Sequence, residues 1–396
     1  MSRVYLDHNA TTPLRVEARD AMLAAMDVVG NPSSVHAEGR AAKMLVERAR
    51  GQVASLVGCE PTQVVFTGSA TEAAALAVAQ KARHGGVFWA SRTEHDCFHA
   101  WDEAPQPTFE KREGEDYTAD EEALSVFVAS LATKDKAENG LLGLAAADGE
   151  TGCLRGQSGV PGEFDGTVPG HISWPCARKG TANFAVVSDI TQIAGKMPVT
   201  FSEQKPAYMV MSAHKIGGPK GVAAFINLTA QDPVAILQGG GQEMGRRSGT
   251  ENVIGIAGFG AAAEAARRDV EAGKWGRVER LRNILESALA DASNTTIFVG
   301  KEAPRLPNTS CFITPGWKGE TQVMQMDLAG FAISAGSACS SGKVKASRVL
   351  MAMGYSERDA ASAVRVSLGL ETTEDEVLRF AEAWTQKLKK HERRAA

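Results

Sequence analysis

Continuous apolar runs, separated by segments long enough to form helices, fill much of the chain from Gln63 to Asn227. We predict strands at QVVFTG, GGVFWAS, GLLGLAAA, FAVVSDI, AYMVMSAH and GVAAFIN, and a helix at SATEAAALAVAQKAR after the first of them. Apolar runs without polar alternation are typical of strands that are buried on both faces, as in parallel sheets flanked by helices. The pattern therefore predicts an α/β fold with a mostly parallel sheet.

The pattern changes near Val253, where a long helix-rich stretch begins. Shorter strands are predicted beyond it at TTIFVG, TSCFIT, FAISAG and VRVSLG, followed by the C-terminal helix TEDEVLRFAEAWTQKLKKHERR. The chain has 396 residues, which is more than one compact core usually organises. We therefore expect a second, smaller domain after a hinge near this point.

Charge and cysteine pattern exclude several classes of protein. The formal net charge of -4 argues against a nucleic-acid-binding or membrane-surface protein, and no apolar stretch is long enough to span a bilayer. The N-terminal MSRVYLDHNATTP lacks the apolar core of a signal peptide. The 6 cysteines are scattered without a CxxC pair, so neither a disulfide scaffold nor a zinc knuckle is indicated. We expect a cytoplasmic protein in which any special cysteine is reactive.

A candidate anion site follows the first predicted strand. In FTGSATEAA the strand ends at Thr67, and Gly68, Ser69, Ala70 and Thr71 open a helix. Backbone N–H groups at a helix start, with hydroxyls beside them, are suited to phosphate. An ordinary Ser/Thr helix cap has the same pattern, so this segment alone leaves both interpretations open.

Two charged residues follow later strands. Asp189 in SDITQ and Lys215 in SAHKIGGPKG each come at the carboxyl end of an apolar strand, where α/β sheets bind ligands. The carboxylate is suited to a cationic ring nitrogen. The lysine, next to His214, is suited to an aldehyde, and we expect Gly217 and Gly218 to leave room for a cofactor. Alternatively, the aspartate caps a turn and the lysine is a charged loop residue.

Two further polar segments are less specific. EHDCFH places His95, Cys97 and His99 close together, but no second ligand cluster follows. A histidine stacked on a cofactor, or a packed histidine, therefore fits better than a metal site. GGGQEMGRRSGTEN lacks the strand-to-helix context of a dinucleotide fingerprint. It is either a flexible surface turn or an anion-binding turn formed by Arg246, Arg247, Ser248 and Thr250.

Cys339 and Arg365 complete the candidates. In SAGSACSSGKVKAS small residues surround the thiol of Cys339, and Lys343 and Lys345 favour its thiolate. Structural cysteines usually have apolar neighbours, as Cys311 does in TSCFIT, so Cys339 is predicted to be reactive. Arg365 in AVRVSLG is either a clamp for a substrate carboxylate or part of a structural salt bridge.

In this order the segments resemble the cysteine desulfurases, the NifS/IscS-like branch of the class V aminotransferase family of pyridoxal 5'-phosphate (PLP) enzymes. The similarity runs through YLDHNATTP, GNPSSVHAEGR, FTGSATE, ETG, SDITQ, SAHKIGGPKG, GGGQEMGRRSGTENV, LPNTS, SAGSACSSGK and VRVSLG. It implies PLP-dependent transferase fold type I, with a large domain around a mostly parallel seven-stranded sheet and a smaller α+β C-terminal domain. We place the large domain at residues 12–255, and the small domain, with the cysteine loop, at residues 1–11 and 256–396.

The resemblance also implies a role for each cofactor residue. Lys215 would form the Schiff base with PLP, Asp189 would pair with the pyridinium nitrogen, and His95 would stack on the ring and act as an acid–base. Gln192 would hydrogen-bond the phenolic oxygen. The implied phosphate contacts come from Ala70, Thr71, Ser212, His214 and, across the interface of a homodimer, Thr250.

On the substrate side, the resemblance implies that Arg365 binds the carboxylate of L-cysteine, with Asn31 and Gly149 nearby. Cys339 would take the sulfur as a persulfide, and alanine would be released. The sulfur would then pass to an acceptor or iron–sulfur scaffold protein. We expect no metal site, no nucleic-acid partner and no membrane partner.

The sequence departs from the family pattern in three places. Gly149, in DGETG, stands where the family has an asparagine, and Ala73, Ala74 and Ala75 replace residues that are commonly polar. Residues 101–180 follow the family poorly. Losing one neutral hydrogen bond costs about 0.5–1.5 kcal/mol, so we expect an active but weak enzyme. The alternatives are a degenerate homologue that acts as a scaffold in sulfur transfer, or another PLP enzyme such as a selenocysteine lyase or an aminotransferase.

Overall fold

The computed structural model describes residues 3–103, 140–154, 184–200, 205–336 and 346–395. The helices are α1 (Val16–Met26), α2 (Ala37–Val57), α3 (Ala70–Val78), α4 (Asp96–His99), α5 (Val253–Glu271), α6 (Trp275–Ala292), α7 (Gly319–Leu328), α8 (Arg348–Ala352), α9 (Glu357–Ala360) and α10 (Glu374–Ala395). The strands are β1 (Val4–Tyr5), β2 (Val64–Thr67), β3 (Phe88–Ala90), β4 (Gly140–Ala145), β5 (Phe184–Asp189), β6 (Tyr208–Ser212), β7 (Ala223–Asn227), β8 (Ile297–Phe298), β9 (Thr309–Ile313), β10 (Phe331–Ala332), β11 (Ser334–Ala335) and β12 (Ala363–Ser367). Within these ranges, no helix combines the length and the apolar character that crossing a membrane requires.

Six of the described strands form the central sheet, in the order β2-β7-β6-β5-β4-β3. Strands β3 to β6 pair in parallel, whereas β7 is antiparallel to both β6 and β2. Within this sheet, every strand except β7 therefore points in the same direction, which confirms the predicted α/β fold and its mostly parallel sheet. The described residues contribute six strands to this sheet, whereas seven were expected.

Both faces of the central sheet are covered by helices. On β2, Val64 and Phe66 pack into one hydrophobic core and Val65 into the other, as the two-residue period of a strand requires. The first core includes side chains of α2 and α5, and the second includes α3. Ala73 and Ala74 are fully buried in that second core, which gives a packing reason for alanine where the family is commonly polar.

A smaller antiparallel sheet, in the order β11-β12-β9-β8, follows in the C-terminal part of the chain. Its core includes side chains of α6 and α10, and the rings of Phe312 and Trp384 meet edge to face with centroids 5.7 Å apart. Strand β1 pairs in parallel with β10, and Val4 is buried in this same core. These contacts support our proposal that the N-terminal residues belong to the smaller domain.

Helix α5 crosses the predicted domain boundary at residue 255. Most of the helix lies beyond that boundary, yet Ile256 and Phe259 are buried in the core of the central sheet. The helix also packs along α1 and α2. We therefore propose that the boundary follows α5, between it and Trp275, whose side chain is buried in the core of the smaller sheet.

Candidate active site

One edge of the central sheet gathers the polar residues that the sequence singled out. Asp189 ends β5, Ser212 ends β6, and Lys215 closes the 3-10 turn that directly follows β6. Strand β2 runs in the same direction as β6 and ends at Thr67, so the start of α3 lies at this edge too. The carboxyl ends of parallel strands are where α/β proteins bind ligands. The fold thus brings the aspartate, the lysine and the helix start to one place.

Lys215 is held against the N-terminal segment. Its Nζ donates hydrogen bonds to the backbone oxygens of Asn9 (2.5 Å) and Ala10 (2.9 Å), and the side chain is half-buried. The hydroxyl of Thr12 donates to the backbone oxygen of Lys215 (3.0 Å). The lysine therefore has a fixed backbone and an amino group placed among carbonyl oxygens.

The two glycines after this turn serve a different purpose from the one we expected. Gly217 has φ +82°, and a Cβ there would lie 2.5 Å from Cγ of Arg15. A Cβ on Gly218 would lie 2.9 Å from both Cβ and the backbone oxygen of Ala213. The expectation that these glycines leave room for a cofactor is wrong, because protein atoms occupy the space that their side chains would take.

Asp189 combines both interpretations offered for it. The residue is buried at the sheet edge, and its Oδ1 accepts a hydrogen bond from the N–H of Thr191 (2.8 Å). The carboxylate therefore caps the following turn and still lies at the ligand-binding edge. A fixed carboxylate at this place is suited to a protonated ring nitrogen.

His95 forms the N-cap of the short helix α4. Its Nδ1 accepts a hydrogen bond from the N–H of Cys97 (3.2 Å), which places the proton of the neutral ring on Nε2. Burial raises the pKa of the Cys97 thiol, so it stays protonated at neutral pH. Across the parts of the chain that the structure describes, no group of three or more His, Cys, Asp or Glu side chains is arranged to hold a metal ion.

The start of α3 is capped by its own side chains. The hydroxyl of Ser69 accepts a hydrogen bond from the N–H of Glu72 (3.1 Å), and the Glu72 carboxylate accepts one from the N–H of Gly68 (2.7 Å). The alternative of an ordinary helix cap is thus realised here. Ala70 and Thr71 form the first turn beyond it, and Thr71 is exposed at the surface.

His214 is a neutral hydrogen-bonding group rather than a cation. Burial, with the charges of Lys215 and Lys220 nearby, lowers the pKa of His214 to about 4. Its Nδ1 lies 3.1 Å from Oγ1 of Thr11. An imidazole that is uncharged at neutral pH contributes a hydrogen bond to a phosphate, but no charge.

Asn9 is the centre of a hydrogen-bond network that the sequence analysis missed. Its Nδ2 donates to the backbone oxygen of Gly149 (3.2 Å) and to Oγ1 of Thr309 (2.9 Å). Its Oδ1 accepts from Nζ of Lys196 (2.9 Å) and from Nδ2 of Asn308 (3.0 Å). The only sequence signal was that Asn9 lies within YLDHNATTP, and nothing in that motif marks the asparagine itself.

Gln192 joins this network from the turn after β5. Its Nε2 donates to the backbone oxygen of Asn9 (3.1 Å), and its Oε1 accepts from Nζ of Lys196 (2.9 Å). The Asn9 backbone oxygen therefore receives hydrogen bonds from both Gln192 and Lys215. The structure thus connects two of the predicted cofactor residues through an asparagine that was not predicted.

Some of the N–H groups of the Arg365 guanidinium are hydrogen-bonded to other protein atoms. Its Nη2 donates to Oδ1 of Asp7 (2.8 Å), and its Nη1 donates to the backbone oxygen of Gly149 (2.9 Å). Its Nε is buried and has no hydrogen-bond partner among the described residues. A Cβ on Gly149 would lie 3.3 Å from Nε2 of Gln192, so the asparagine of the family pattern would sit beside that amide.

Two predicted residues are not part of this network. Asn31 is exposed, and its Oδ1 accepts a hydrogen bond from the N–H of Ser33 (2.9 Å). Thr250 is exposed as well. Within the described residues, neither is hydrogen-bonded to Asn9, Gln192 or Arg365.

The glycine-rich segment 239–252 is tied to the rest of the fold by ion pairs. Glu243 is buried and accepts two hydrogen bonds from the Arg50 guanidinium (2.7 and 2.9 Å). The arginines considered as anion ligands are also engaged, in the pairs Arg246–Asp232 and Arg247–Glu72. The structure therefore favours neither a flexible turn nor an anion-binding role for these two arginines.

Cys339 lies outside the described residues, within the segment 337–345. The described residues on either side of this segment meet at Glu150. A Cβ on Gly336 would lie 2.1 Å from Oε1 of Glu150 and 3.0 Å from Cβ of Ser347. Burial, with a smaller contribution from the charge of Asp148, raises the pKa of Glu150 to about 7.

The side chains at this edge suit PLP. A carboxylate at a strand end, an amino group, a helix start and a neutral histidine match a pyridine nitrogen, an aldehyde and a phosphate. The buried Nε of Arg365 is a donor without a partner among the described residues, and such groups usually serve a ligand or water. The residues present therefore fit the cofactor and an anionic substrate.

Comparisons with known proteins agree with this geometry. The family described as aminotransferase class-V matches residues 4–110 and 175–380. A cysteine desulfurase of Frankia sp. (strain EuIK1) is 36% identical over 94% of this chain and 88% of its own length. An IscS-like cysteine desulfurase of Mycobacterium tuberculosis is 32% identical over 94% of this chain and 93% of its own length. The structure of a NifS-like protein from Rickettsia africae ESF-5 superposes with a TM-score of 0.79 at 27% identity, covering 98% of this chain and 99% of that chain.

Proposed function

The chain belongs to the aminotransferase class-V family, and on that premise we propose that it is a PLP-dependent cysteine desulfurase. The enzyme converts L-cysteine to L-alanine and transfers the sulfur to the thiol of Cys339. The observation that carries the proposal is that Asp189 and Lys215 follow the neighbouring strands β5 and β6 at the ligand-binding edge of the sheet. Lys215 also belongs to a hydrogen-bond network that reaches Arg365. Similarity to proteins named cysteine desulfurase over most of the chain supports the same reaction.

We propose that Lys215 would hold the cofactor aldehyde through Nζ and would move protons at that atom. The cofactor supplies an electron sink when it is bound. Asp189 would accept a hydrogen bond from the protonated ring nitrogen, the ring of His95 would pack against the cofactor, and the amide of Gln192 would donate to the phenolic oxygen.

The phosphate would be held by the start of α3, at Ala70 and Thr71, and by Ser212 and the neutral His214. The positive end of the α3 dipole would stabilise the phosphate charge.

Arg365 binds the substrate carboxylate. Its Nε has no hydrogen-bond partner among the described residues, and Nη1 and Nη2 each carry a second N–H, while Asp7 and the Gly149 oxygen fix the plane of the guanidinium. The sulfur of cysteine then bonds to Sγ of Cys339 as the carbon–sulfur bond of the substrate breaks, and the β-carbon takes up a proton in its place. The two thiol protons of the reactants are thereby accounted for by one methyl hydrogen of alanine and the S–H of the Cys339 persulfide; the β-carbon is reduced and the Cys339 sulfur is oxidised, so no further oxidant is needed.

We further infer that the protein forms a homodimer in which Thr250 completes the phosphate site of the partner. Apolar side chains around α1 and α2 are exposed, which marks a candidate interface: Leu23, Met26, Val29, Val35 and Met44. Sedimentation equilibrium tests this, and a monomer at micromolar concentration would contradict it.

The persulfide passes to an acceptor or iron–sulfur scaffold protein for iron–sulfur cluster or thio-cofactor assembly.

Alanine formation from L-cysteine tests the proposed reaction. PLP-loaded protein is expected to release alanine and to carry a persulfide on the Cys339 peptide, measured by chromatography and mass spectrometry. Cys339→Ala should abolish both, because no acceptor thiol remains. Cys59→Ala is the matched control, since burial raises the pKa of Cys59 to about 12 and makes that thiol unreactive. Full alanine release by Cys339→Ala would refute the mechanism.

A further inference from the structure

Lys196 is a buried lysine whose hydrogen-bond partners are two carboxamide oxygens. It is 4% exposed, and its Nζ lies 2.9 Å from Oδ1 of Asn9 and 2.9 Å from Oε1 of Gln192. Buried lysines usually face a carboxylate, because an unpaired charge is costly to bury. Desolvation by burial, with smaller contributions from the charges of Lys215 and Arg365, lowers the pKa of Lys196 well below its ordinary value.

These contacts determine which way the Gln192 amide points. Nζ of Lys196 donates to Oε1 of Gln192, so Nε2 faces away from the lysine. Nε2 donates instead to the Asn9 backbone oxygen (3.1 Å), which can only accept. A flipped amide would place its oxygen against that backbone oxygen and would lose the hydrogen bond that Nζ donates.

The same lysine fixes the side chain of Asn9. With Oδ1 held by Lys196 and Asn308, Nδ2 donates to the Gly149 oxygen, which also accepts from Nη1 of Arg365. Lys196 thereby fixes the orientation of both carboxamides. Gln192 is connected to Lys215 through the Asn9 backbone oxygen. Asn9 is connected through the Gly149 oxygen to Arg365, the arginine that we assign to the substrate.

We propose that Lys196 is a positioning residue of the desulfurase, which holds the carboxamides of Asn9 and Gln192 in the single orientation that serves cofactor and substrate together. This inference rests on the proposed function. Without Lys196, two buried carboxamide oxygens lose a donor, and the Gln192 amide is free to turn its oxygen toward the cofactor. The loss falls on PLP affinity and on the KM for L-cysteine, because the two carboxamides held by Lys196 donate to the backbone oxygens of Asn9 and Gly149, which also accept from Lys215 and Arg365.

The test compares Lys196→Met with the matched control Lys301→Met, the same substitution at an exposed lysine. Dissociation constants for PLP are measured on the apoproteins from the absorbance of bound cofactor. We expect Lys196→Met to raise this constant about tenfold, the size of one neutral hydrogen bond, and Lys301→Met to leave it unchanged. Lys196→Arg, which retains donors for both oxygens, should stay within about threefold of wild type. Equal affinity in Lys196→Met and wild type would overturn the proposal.

A double-mutant cycle with Gln192→Leu separates positioning from general damage. If Lys196 acts through Gln192, the double variant should bind PLP no more weakly than the weaker single variant, whereas independent effects would multiply. Multiplying effects would contradict the proposal. Should Lys196→Met not fold by circular dichroism, the cycle is run with Lys196→Arg. Gln192→Leu must then raise the PLP dissociation constant by the same factor in the Lys196→Arg background as in wild type, and a smaller factor would count against the proposal.

Hydrogen exchange of the apoproteins keeps this test independent of the proposed function. Wild-type protein that binds no PLP would contradict the desulfurase proposal. Lys196 would then be judged by deuterium uptake in the peptide around Asn9, whose N–H is hydrogen-bonded to Oγ of Ser367 (2.9 Å). Faster uptake there in Lys196→Met, with α2 unchanged, supports positioning of Asn9, and unchanged uptake overturns it.

Discussion

The nitrogen atoms of the Arg365 guanidinium have different environments. Nη2 pairs with the Asp7 carboxylate, Nη1 binds the Gly149 oxygen, and Nε is buried without a partner among the described residues. Asp7 is itself held by the hydroxyl of Ser334 (2.8 Å). The guanidinium is therefore fixed by the protein and retains a donor for a ligand, so the salt bridge and the carboxylate clamp are compatible.

Replacing Arg365 by lysine should weaken substrate binding specifically. Lysine keeps the charge but lacks the planar set of donors, so we expect the KM for L-cysteine to rise about 10- to 100-fold, the range of charge-assisted hydrogen bonds. Asp7→Asn is the control, because it removes the ion pair and keeps the shape of the side chain. Steady-state kinetics should show a much smaller rise for Asp7→Asn. An equal rise in both variants would mean that the arginine acts only through its salt bridge.

At the scale of elements, close helix contacts determine which glycines are replaceable. A Cβ on Gly51 in α2 would have no described atom within 4 Å, whereas a Cβ on Gly260 in α5 would lie 2.5 Å from Cα of Ala49. Helices α2 and α5 form the layer on one face of the central sheet. Their separation is therefore limited by backbone atoms at Gly260.

We predict opposite effects for the same substitution at these two glycines. Gly51→Ala should raise the free energy of unfolding by about 0.5–1 kcal/mol, because alanine loses less backbone entropy in a helix. Gly260→Ala should lower it by roughly 1–3 kcal/mol, because the two helices must move apart. Urea unfolding followed by circular dichroism measures both changes. If Gly260→Ala were as stable as Gly51→Ala, α2 and α5 would not touch as described.

For the molecule as a whole, the N-terminal segment links the smaller sheet to the central sheet. Strand β1 packs in the core of the smaller sheet, and a few residues later Asn9 is hydrogen-bonded to Lys196 and Gln192 beside the central sheet. The hydrogen bonds of Asn9 thus join the N-terminal segment to the turns after β5 and β6 and, through the Gly149 oxygen, to Arg365 in strand β12. Stability of this junction should respond to the buried acid next to it, Glu150.

Stability should fall with rising pH because of Glu150. Burial and Asp148 raise its pKa to about 7, although Ser347, Arg365 and Arg348 act in the opposite direction. Since the unfolded carboxyl has a pKa near 4.5, the folded state binds the extra proton between these values, and stability is lost as pH rises through 7. Glu150→Gln removes this dependence.

The difference between Glu150→Gln and wild type isolates this effect from other titrating groups. We expect the variant to gain roughly 2–3 kcal/mol in relative unfolding free energy between about pH 5 and pH 8, measured by urea unfolding. Glu371→Gln, at an exposed position, is the control and should show no such gain. A constant difference between Glu150→Gln and wild type across this range would show that Glu150 titrates normally.

The architecture and the main candidate residues were predictable because they depend on local pattern. Unbroken apolar runs predict strands buried on both faces, and polar residues at their carboxyl ends predict a ligand site, which is how Asp189 and Lys215 were found. The purpose of Gly217 was predicted wrongly because it does not depend on local pattern. The space beside this glycine is filled by the side chain of Arg15, which is far away in the sequence.

The sequence by itself determined the α/β class, the order of the motifs and the family that they resemble. Only the tertiary structure revealed that Lys196 is buried and that Asn9 connects it to Lys215 and Arg365. A lysine in a sequence carries no mark of its burial, because burial depends on which distant segments pack around it. Asn9 and Lys196 are 187 residues apart, so their hydrogen bond exists only once the N-terminal segment has folded back onto the central sheet.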